Sequence, residues 1–353
     1  MWKDVLLNYG VFLLELLTLF AIVVVIIMMI LESRKQPENG AITVINLSKK
    51  HEEQKKALNN FFLSDAEQKH LDKEYKKEQK AKNKRDKKLL KKGHDLLSQE
   101  TKPRLFVLDF QGDIQASGVS GLRKEIDAVI ALADVEKNDE VLLKLESPGG
   151  VVHGYGLAAS QLQRLKDRNI PLTVAVDKVA ASGGYMMACV ADKIIAAPFS
   201  IIGSIGVVAQ VPNIHRLLKK HDIDVDVMTA GEYKRTVTLV GENTEKGKQK
   251  FQQELEEAHL LFKEFVETHR PQLNIEKIAT GEHWFGKQAL ELNLIDAIST
   301  SDDLLLDEIS KKDVFEVKYH TKKKLIKRIG EQAESSIEKV FGRLFFKNST
   351  NML

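Results

Sequence analysis

Residues 141–150 read VLLKLESPGG. Val141, Leu142, Leu143 and Leu145 make a short apolar run, the mark of a strand covered on both faces, and Ser-Pro-Gly-Gly stops it with turn chemistry. A helical spacing follows over Tyr155–Leu165, and then a second apolar run, LTVAVD (172–177). Strand, helix and strand in this order predict a βαβ unit, which places the two strands parallel and neighbouring. The same alternation extends both ways. Upstream lie the strand candidate LFVLDF (105–110) and a helix over Gly121–Ala133 carrying Leu122, Ile126, Val129 and Ile130. Downstream lie a short strand KIIAA (193–197) and an amphipathic helix over 243–269 with Phe251, Leu255, His259, Phe262 and Val266 at helical spacing. The fold class expected is α/β, a parallel sheet of βαβ units.

The 353 residues leave room for appendages around a domain of this kind. From Val11 to Leu31 the chain reads VFLLELLTLFAIVVVIIMMIL, 21 residues with one charge, Glu15. At 1.5 Å per residue that run spans a hydrocarbon core of about 30 Å. It is too long for a signal-peptide core and lacks a small-residue cleavage site, so an uncleaved anchor is expected over residues 1–35. Lys3 before it and Arg34 and Lys35 after it give only a small charge bias, which favours a cytoplasmic C-terminal side. Residues 36–103 read as a charged spacer, helical or disordered, with one short extended piece in QPENGAITVINL (36–47). Residues 104–300 form the organised domain, and 301–353 a C-terminal extension, basic and apolar by turns (KKKLIKRIG, then VFGRLFF).

Composition excludes several functions. Leu71–Gly93 holds eleven Lys/Arg against four Asp/Glu, while the whole chain has a net charge of only +3, so the basicity sits in one tract and a nucleic-acid-binding domain is not expected. The single cysteine, Cys189, rules out an intramolecular disulfide framework and a cysteine-cluster metal site, and no H-E-x-x-H is present. No cofactor or metal is expected.

The chemistry concentrates in KVAASGGYMMACV (178–190). A strand ends, small residues follow, and Ser182 precedes Gly183-Gly184 at the start of a helical pattern. A serine there faces unpaired N–H groups that stabilise developing negative charge, although an N-cap serine would look the same. The SPGG turn puts further N–H groups at the sheet's carboxyl edge, where Gly149 and the N–H of Gly183 are candidates to hold an oxyanion. A serine hydroxyl also needs a base. His153 is the histidine nearest the SPGG turn in sequence. Lys234, in AGEYKRT after the strand-like IDVDVMT, is the other candidate, since a desolvated lysine can present a neutral amine. Cys189 reads as a buried packing residue, Lys178 and Lys193 as strand-end surface residues, and Trp284 and Phe285 as packing residues.

Five blocks in order, LESPGG, VAASGGYMMACVADKIIAAP, SIIGSIGV, AGEYKR and TGEHWFGKQALELNLIDAI, resemble the signal-peptide-peptidase A family of membrane-associated serine proteases. The anchor, spacer and length look most like its SohB-type branch. The resemblance covers roughly residues 104–300. It implies a ClpP/crotonase-like fold and a Ser–Lys dyad, with Ser182 as nucleophile, Lys234 as general base fifty-two positions later, Ser204 as the hydroxyl that orients the lysine, and Gly149 and Gly183 as oxyanion hole. Arg235 departs from the small residue that relatives often carry there. The implied activity is peptide-bond hydrolysis through an acyl-enzyme, on peptides, residual signal peptides or unfolded segments. A homo-oligomer at a bacterial inner membrane, in contact with membrane lipid and with its catalytic domain in the periplasm, is implied as well. Two rival readings are an acyl-CoA enzyme of the crotonase fold and a non-catalytic membrane scaffold.

Overall fold

The apolar runs of the sequence become the central strands of one sheet. The computed structural model describes residues 40–64 and 102–320, with scattered residues between 10 and 20 and between 67 and 84. Residues 12–14 and 16–20 of the expected anchor are helical; the rest of that run, most of the lysine-rich tract and the basic segment 321–347 lie outside the described residues. Among the described residues no helix is long and apolar enough to cross a membrane. Ile42–Tyr319 form one compact unit.

In chain order this unit contains β1 (Ala41–Asn46), α1 (Leu47–Phe61), β2 (Arg104–Gln111), α2 (Val119–Leu132), β3 (Glu140–Glu146), α3 (Val152–Lys166), β4 (Leu172–Val176), β5 (Val179–Ala181) and α4 (Gly183–Ala188). There follow β6 (Lys193–Ala196), β7 (Ile201–Gly203), α5 (His215–Lys220), α6 (Glu245–His269), α7 (Ile275–Ile278), β8 (His283–Phe285), α8 (Gly286–Glu291), β9 (Ala297–Ile298), α9 (Ser301–Lys311) and β10 (Asp313–His320). Seven strands form the main sheet in the order β1-β10-β2-β3-β4-β6-β9. From β10 to β9 every pairing is parallel. A small second sheet, β5-β7-β8, pairs β5 and β7 parallel and β7 and β8 antiparallel.

Alternation within β2 explains why both faces are covered. Phe106, Leu108 and Phe110 join the main core with Ile126 of α2, Leu143 and Leu145 of β3, and Leu162 of α3. Leu105 and Val107 point the other way, to a second cluster with Leu142, Ala175, Ile195 and Val314, closed by Leu304, Leu305 and Ile309 of α9. Successive side chains of a strand leave opposite faces, so a run with no polar member needs a cover on each side.

Two expectations change. The sheet does not stop at residue 300: β10 inserts between β1 and β2, with Val314 and Val317 buried on opposite faces. DVFEVKYH (313–320) carries strand residues whose partners are some two hundred positions away, which a local reading cannot see. Conversely IDVDVMT (223–229) is not a strand, although its pattern alternates. Residues 206–244 are irregular apart from α5 and are tied to themselves, with the Ile214 N–H donating to the Leu239 carbonyl at 2.8 Å and Asn213 donating to the carbonyls of Thr238 and Gly241. No neighbouring strand is there to pair with 223–229, and propensity without a partner makes no sheet.

Candidate active site

The end of β3 runs on beside β5. Ser147 bridges Ala180, its N–H donating to the Val179 carbonyl at 2.8 Å and its carbonyl accepting from the Ala181 N–H at 3.0 Å. This lays the SPGG turn against the strand that leads into Ser182. Ser182 is the residue between β5 and α4, with φ 52° and ψ −118°, a conformation non-glycine residues rarely adopt. It is held there by its N–H on the Gly203 carbonyl at 2.8 Å and by its carbonyl on the Met186 N–H at 3.0 Å. A serine forced into this geometry at a strand-to-helix turn projects its hydroxyl away from the backbone, and such strain gathers at functional sites.

Gly149 touches the turn. With φ +89°, it has room for no side chain: a Cβ would lie 2.8 Å from the Gly183 nitrogen and from the Ser182 Cβ. Gly183 and Gly184 are as tightly fixed, because a Cβ on the first would enter the Tyr155 ring and one on the second would meet the Ser147 carbonyl oxygen. The Gly149 N–H donates to Ser147 Oγ at 3.1 Å, and Ser147 Oγ is 2.6 Å from the Tyr155 hydroxyl, which donates to the Asp113 carbonyl at 2.9 Å. Of the two expected oxyanion donors, Gly149 therefore has its N–H engaged by Ser147, while among the described residues no hydrogen bond uses the N–H of Gly183 or of the neighbouring Gly150.

Ser182, Gly149, Gly183 and Ser204 open onto one cleft of about 870 Å³. Its remaining walls are largely apolar, with Ile114, Val151 and Val152 on one side and Met186, Val207 and Phe262 among the others. Ser204 follows β7 directly, as Ser182 follows β5, and the parallel pairing of those strands sets the two serines side by side. Ser204 also has a positive φ, 51°, with its N–H on the Glu282 carbonyl at 2.7 Å.

Lys234 is not a wall of this cleft; it is exposed on the irregular segment 206–244. His153 is exposed on α3 and does not line the cleft either. Lys178 pairs with Glu146 at 2.9 Å, and Lys193 is exposed at the start of β6. Cys189 is wholly buried, and burial pushes its thiol well above the ordinary range, so it is a packing residue. Trp284 packs on the core and under Gly203, whereas Phe285 is half exposed and meets Phe199 edge to face. Three residues go unremarked or undervalued in a reading of the sequence: Ser147 and Tyr155, which tether the Gly149 turn, and His259, which sits in the cleft wall within an otherwise apolar helix stripe. Among the described residues no three His, Cys, Asp or Glu side chains gather as metal ligands.

Comparison with known proteins gives the family of the chain. The model of the peptidase family S49 N-terminal region matches residues 4–162, and that of peptidase family S49 matches residues 164–315. A probable protease SohB of Haemophilus influenzae is 58% identical over 355 residues, covering 100% of both chains. A probable protease SohB of Buchnera aphidicola subsp. Schlechtendalia chinensis is 50% identical over 305 residues, 86% of this chain and 99% of that one. A solved structure of a mutant 1510-N membrane-bound stomatin-specific protease with a substrate peptide aligns with 58% of this chain and 80% of that one, at TM-score 0.37 and 16% identity, a loose likeness on which nothing below rests. With both halves of its fold matched and full-length relatives at this identity, the chain belongs to peptidase family S49, as a protease of the SohB type.

Proposed function

We propose that this protease is a membrane-anchored serine endopeptidase in which Ser182 is the nucleophile and Lys234 the general base. One observation carries the reading: Ser182 is held at a positive φ on the wall of a cleft, between the Gly149 turn and the Gly183 N–H. The neutral amine of Lys234 takes the proton of Ser182 Oγ as that oxygen bonds to the scissile carbonyl carbon. The oxyanion is met by the Gly183 N–H and by the Gly149–Gly150 turn. Collapse breaks the C–N bond, and the lysine ammonium returns its proton to the leaving amine. Water then attacks the acyl-enzyme, its proton passing to Lys234 and on to Ser182, and a peptide carboxylate leaves. Ser204, beside Ser182, orients the amine.

A base must come within hydrogen-bond reach of the hydroxyl it deprotonates. Lys234 therefore reaches Ser182 through a movement of segment 206–244 or from a second copy in a homo-oligomer. Mixing Ser182→Ala and Lys234→Ala chains separates these: recovered cleavage assigns the lysine to a neighbouring copy, and no recovery assigns it to the same chain. The primary test is a fluorophosphonate probe. Labelling of the wild type but not of Ser182→Ala supports the nucleophile. A folded wild type that does not label favours the non-catalytic scaffold, and thioester turnover without peptide cleavage favours the acyl-CoA enzyme.

The run Val11–Leu31 is the proposed anchor in an inner membrane, with Ile42–Tyr319 on the periplasmic side and peptides or unfolded segments as substrates. A reporter fused after residue 100 that is active only in the cytoplasm overturns that orientation.

A further inference from the structure

We infer that His259 selects the substrate by hydrogen-bonding a side chain that enters the cleft beside Ser182; this rests on the protease reading above. His259 lies on α6, whose Phe262 and Val266 are buried on the same face at helical spacing. The stripe is apolar on either side of it, with Leu255 one turn before. His259 and Phe262 both line the cleft that holds Ser182. Its Nε2 is buried and has no hydrogen-bond partner. Among the described residues the other buried side-chain atom without a hydrogen bond is Glu308 Oε2, and that oxygen lies 2.9 Å from the Lys312 ammonium. Among the described residues His259 thus has neither a hydrogen bond nor an ion-pair partner for a ring nitrogen removed from water.

Buried polar groups in native proteins are almost always paired, so an unpaired one in a cleft wall marks a place where a ligand supplies the partner. A peptide's main chain docks along exposed backbone, which here means the Gly150–Val152 rim and residues 206–208. Nε2 is closed off from water on the inward face of α6, so a substrate side chain meets it only as the imidazole turns into the cleft that His259 lines. The cleft that His259 shares with Met186, Ala258 and Phe262 fits an apolar stem, and Nε2 fits a hydroxyl or amide at the stem's end. The substrate class is a peptide with a medium-sized side chain of that kind next to the scissile bond.

The test uses the full-length protein and peptides varied, in turn at each residue flanking the scissile bond, as the near-isosteric pairs Thr/Val and Asn/Leu. Rates are normalised to active sites titrated with the fluorophosphonate probe. At one flanking position the ratio of kcat/KM for the polar over the apolar member falls about tenfold in His259→Leu, the worth of one hydrogen bond, and returns towards wild type in His259→Gln. A ratio that stays within about twofold of wild type at both positions, or a uniform loss on all peptides, overturns the inference. A wild type that neither labels nor cleaves defeats the protease reading itself, a distinct outcome.

Discussion

Removing one hydroxyl tests whether the cleft is built as a connected unit. Tyr155 and Ser147 are fully buried, and a chain of bonds runs from the Gly149 N–H to Ser147 Oγ, to the Tyr155 hydroxyl, to the Asp113 carbonyl. Tyr155→Phe keeps the ring against Gly183 and deletes the middle of that chain. Two hydrogen bonds go, at about 1 kcal/mol each, and the buried Ser147 hydroxyl loses its acceptor, while the exposed Asp113 backbone regains water. The expected cost is about 2 kcal/mol. For a unit of this size that is roughly 4–8 °C in Tm. Ser147→Ala should cost a similar amount, because it orphans the Gly149 N–H and removes the donor to the phenol oxygen, which keeps its own bond to Asp113. The double variant should cost about 3 kcal/mol, less than the sum, since the two single changes delete the same Ser147–Tyr155 bond. Unfolding followed by tryptophan fluorescence gives the three values. The rate of fluorophosphonate labelling gives the consequence at Ser182, expected to slow roughly tenfold as the Gly149 turn loses its tether. A Tyr155→Phe protein within about 0.5 kcal/mol of wild type refutes the reasoning, as does a double variant that pays the full sum.

The other outcomes concern separate parts of the fold. Gly183→Ala sets a methyl 2.6 Å from Tyr155 Cδ2, so at least about 1–3 kcal/mol of stability and the labelling of Ser182 should both be lost, which denaturant unfolding and probe gels will read. Arg270, almost fully buried, grips Asp296 with bonds of 2.8 and 3.0 Å; Asp296 itself is partly exposed and keeps the Ile194 N–H, so Arg270→Met should cost about 1–3 kcal/mol in the same unfolding assay, through the lost charge-assisted bonds and the packing of the arginine. Burial by itself would raise Asp296, but hydrogen bonds from Arg270 and the Ile194 N–H outweigh it and hold the carboxyl below its ordinary value. A depressed carboxyl stabilises the fold above the unfolded pKa of about 3.9 and ceases to do so as pH falls through the folded value, so Tm should drop below about pH 4, and Asp296→Asn should flatten that drop. Cys189, buried and with its thiol pushed up by that burial, should resist iodoacetamide at neutral pH until the protein is unfolded; mass spectrometry of the native protein reads this directly.

The central strands are legible because their partners are close in sequence and their two covered faces make most of their positions apolar. LFVLDF, VLLKLE and LTVAVD announce themselves, and each sits within a residue or two of β2, β3 and β4. The Ser182–Gly183 turn is legible for a related reason: two successive glycines mark a place where neither residue has space for a Cβ, whereas the strained φ of Ser182 is not readable from its identity. What escapes is whatever depends on distance along the chain. The place of β10 beside β2 depends on pairing residues such as Val314 with Leu105. IDVDVMT carries strand propensity but finds no strand to join, and its Ile223, Val227 and Met228 remain exposed. Ser147 and Tyr155 look like a turn residue and a core aromatic until the fold brings their oxygens within 2.6 Å. His259 hides in a stripe where spacing predicts only that it faces inward.

On the proposed mechanism these differences divide the machinery into two parts of unequal rigidity of construction. The part around Ser182 is over-determined: Gly149 is pinned by Ser147, Gly183 by the Tyr155 ring, Gly184 by the Ser147 carbonyl, and Ser182 by the Gly203 carbonyl, so the same few residues fix both the serine and the surrounding N–H groups. A strained serine persists only where its surroundings allow no alternative, and preorganised donors serve catalysis because they need not rearrange as charge develops. The half that carries Lys234 is attached differently. Segment 206–244 makes its hydrogen bonds chiefly within itself and leaves Val208, Met228 and Tyr233 exposed, so little in the sheet dictates where its lysine lies. On the proposed mechanism a finished oxyanion site waits for a base, and peptide hydrolysis begins only when that segment is seated. Substitutions in the first half should therefore reduce stability and labelling together, whereas substitutions in 206–244 should reduce turnover with little change in the unfolding of the core.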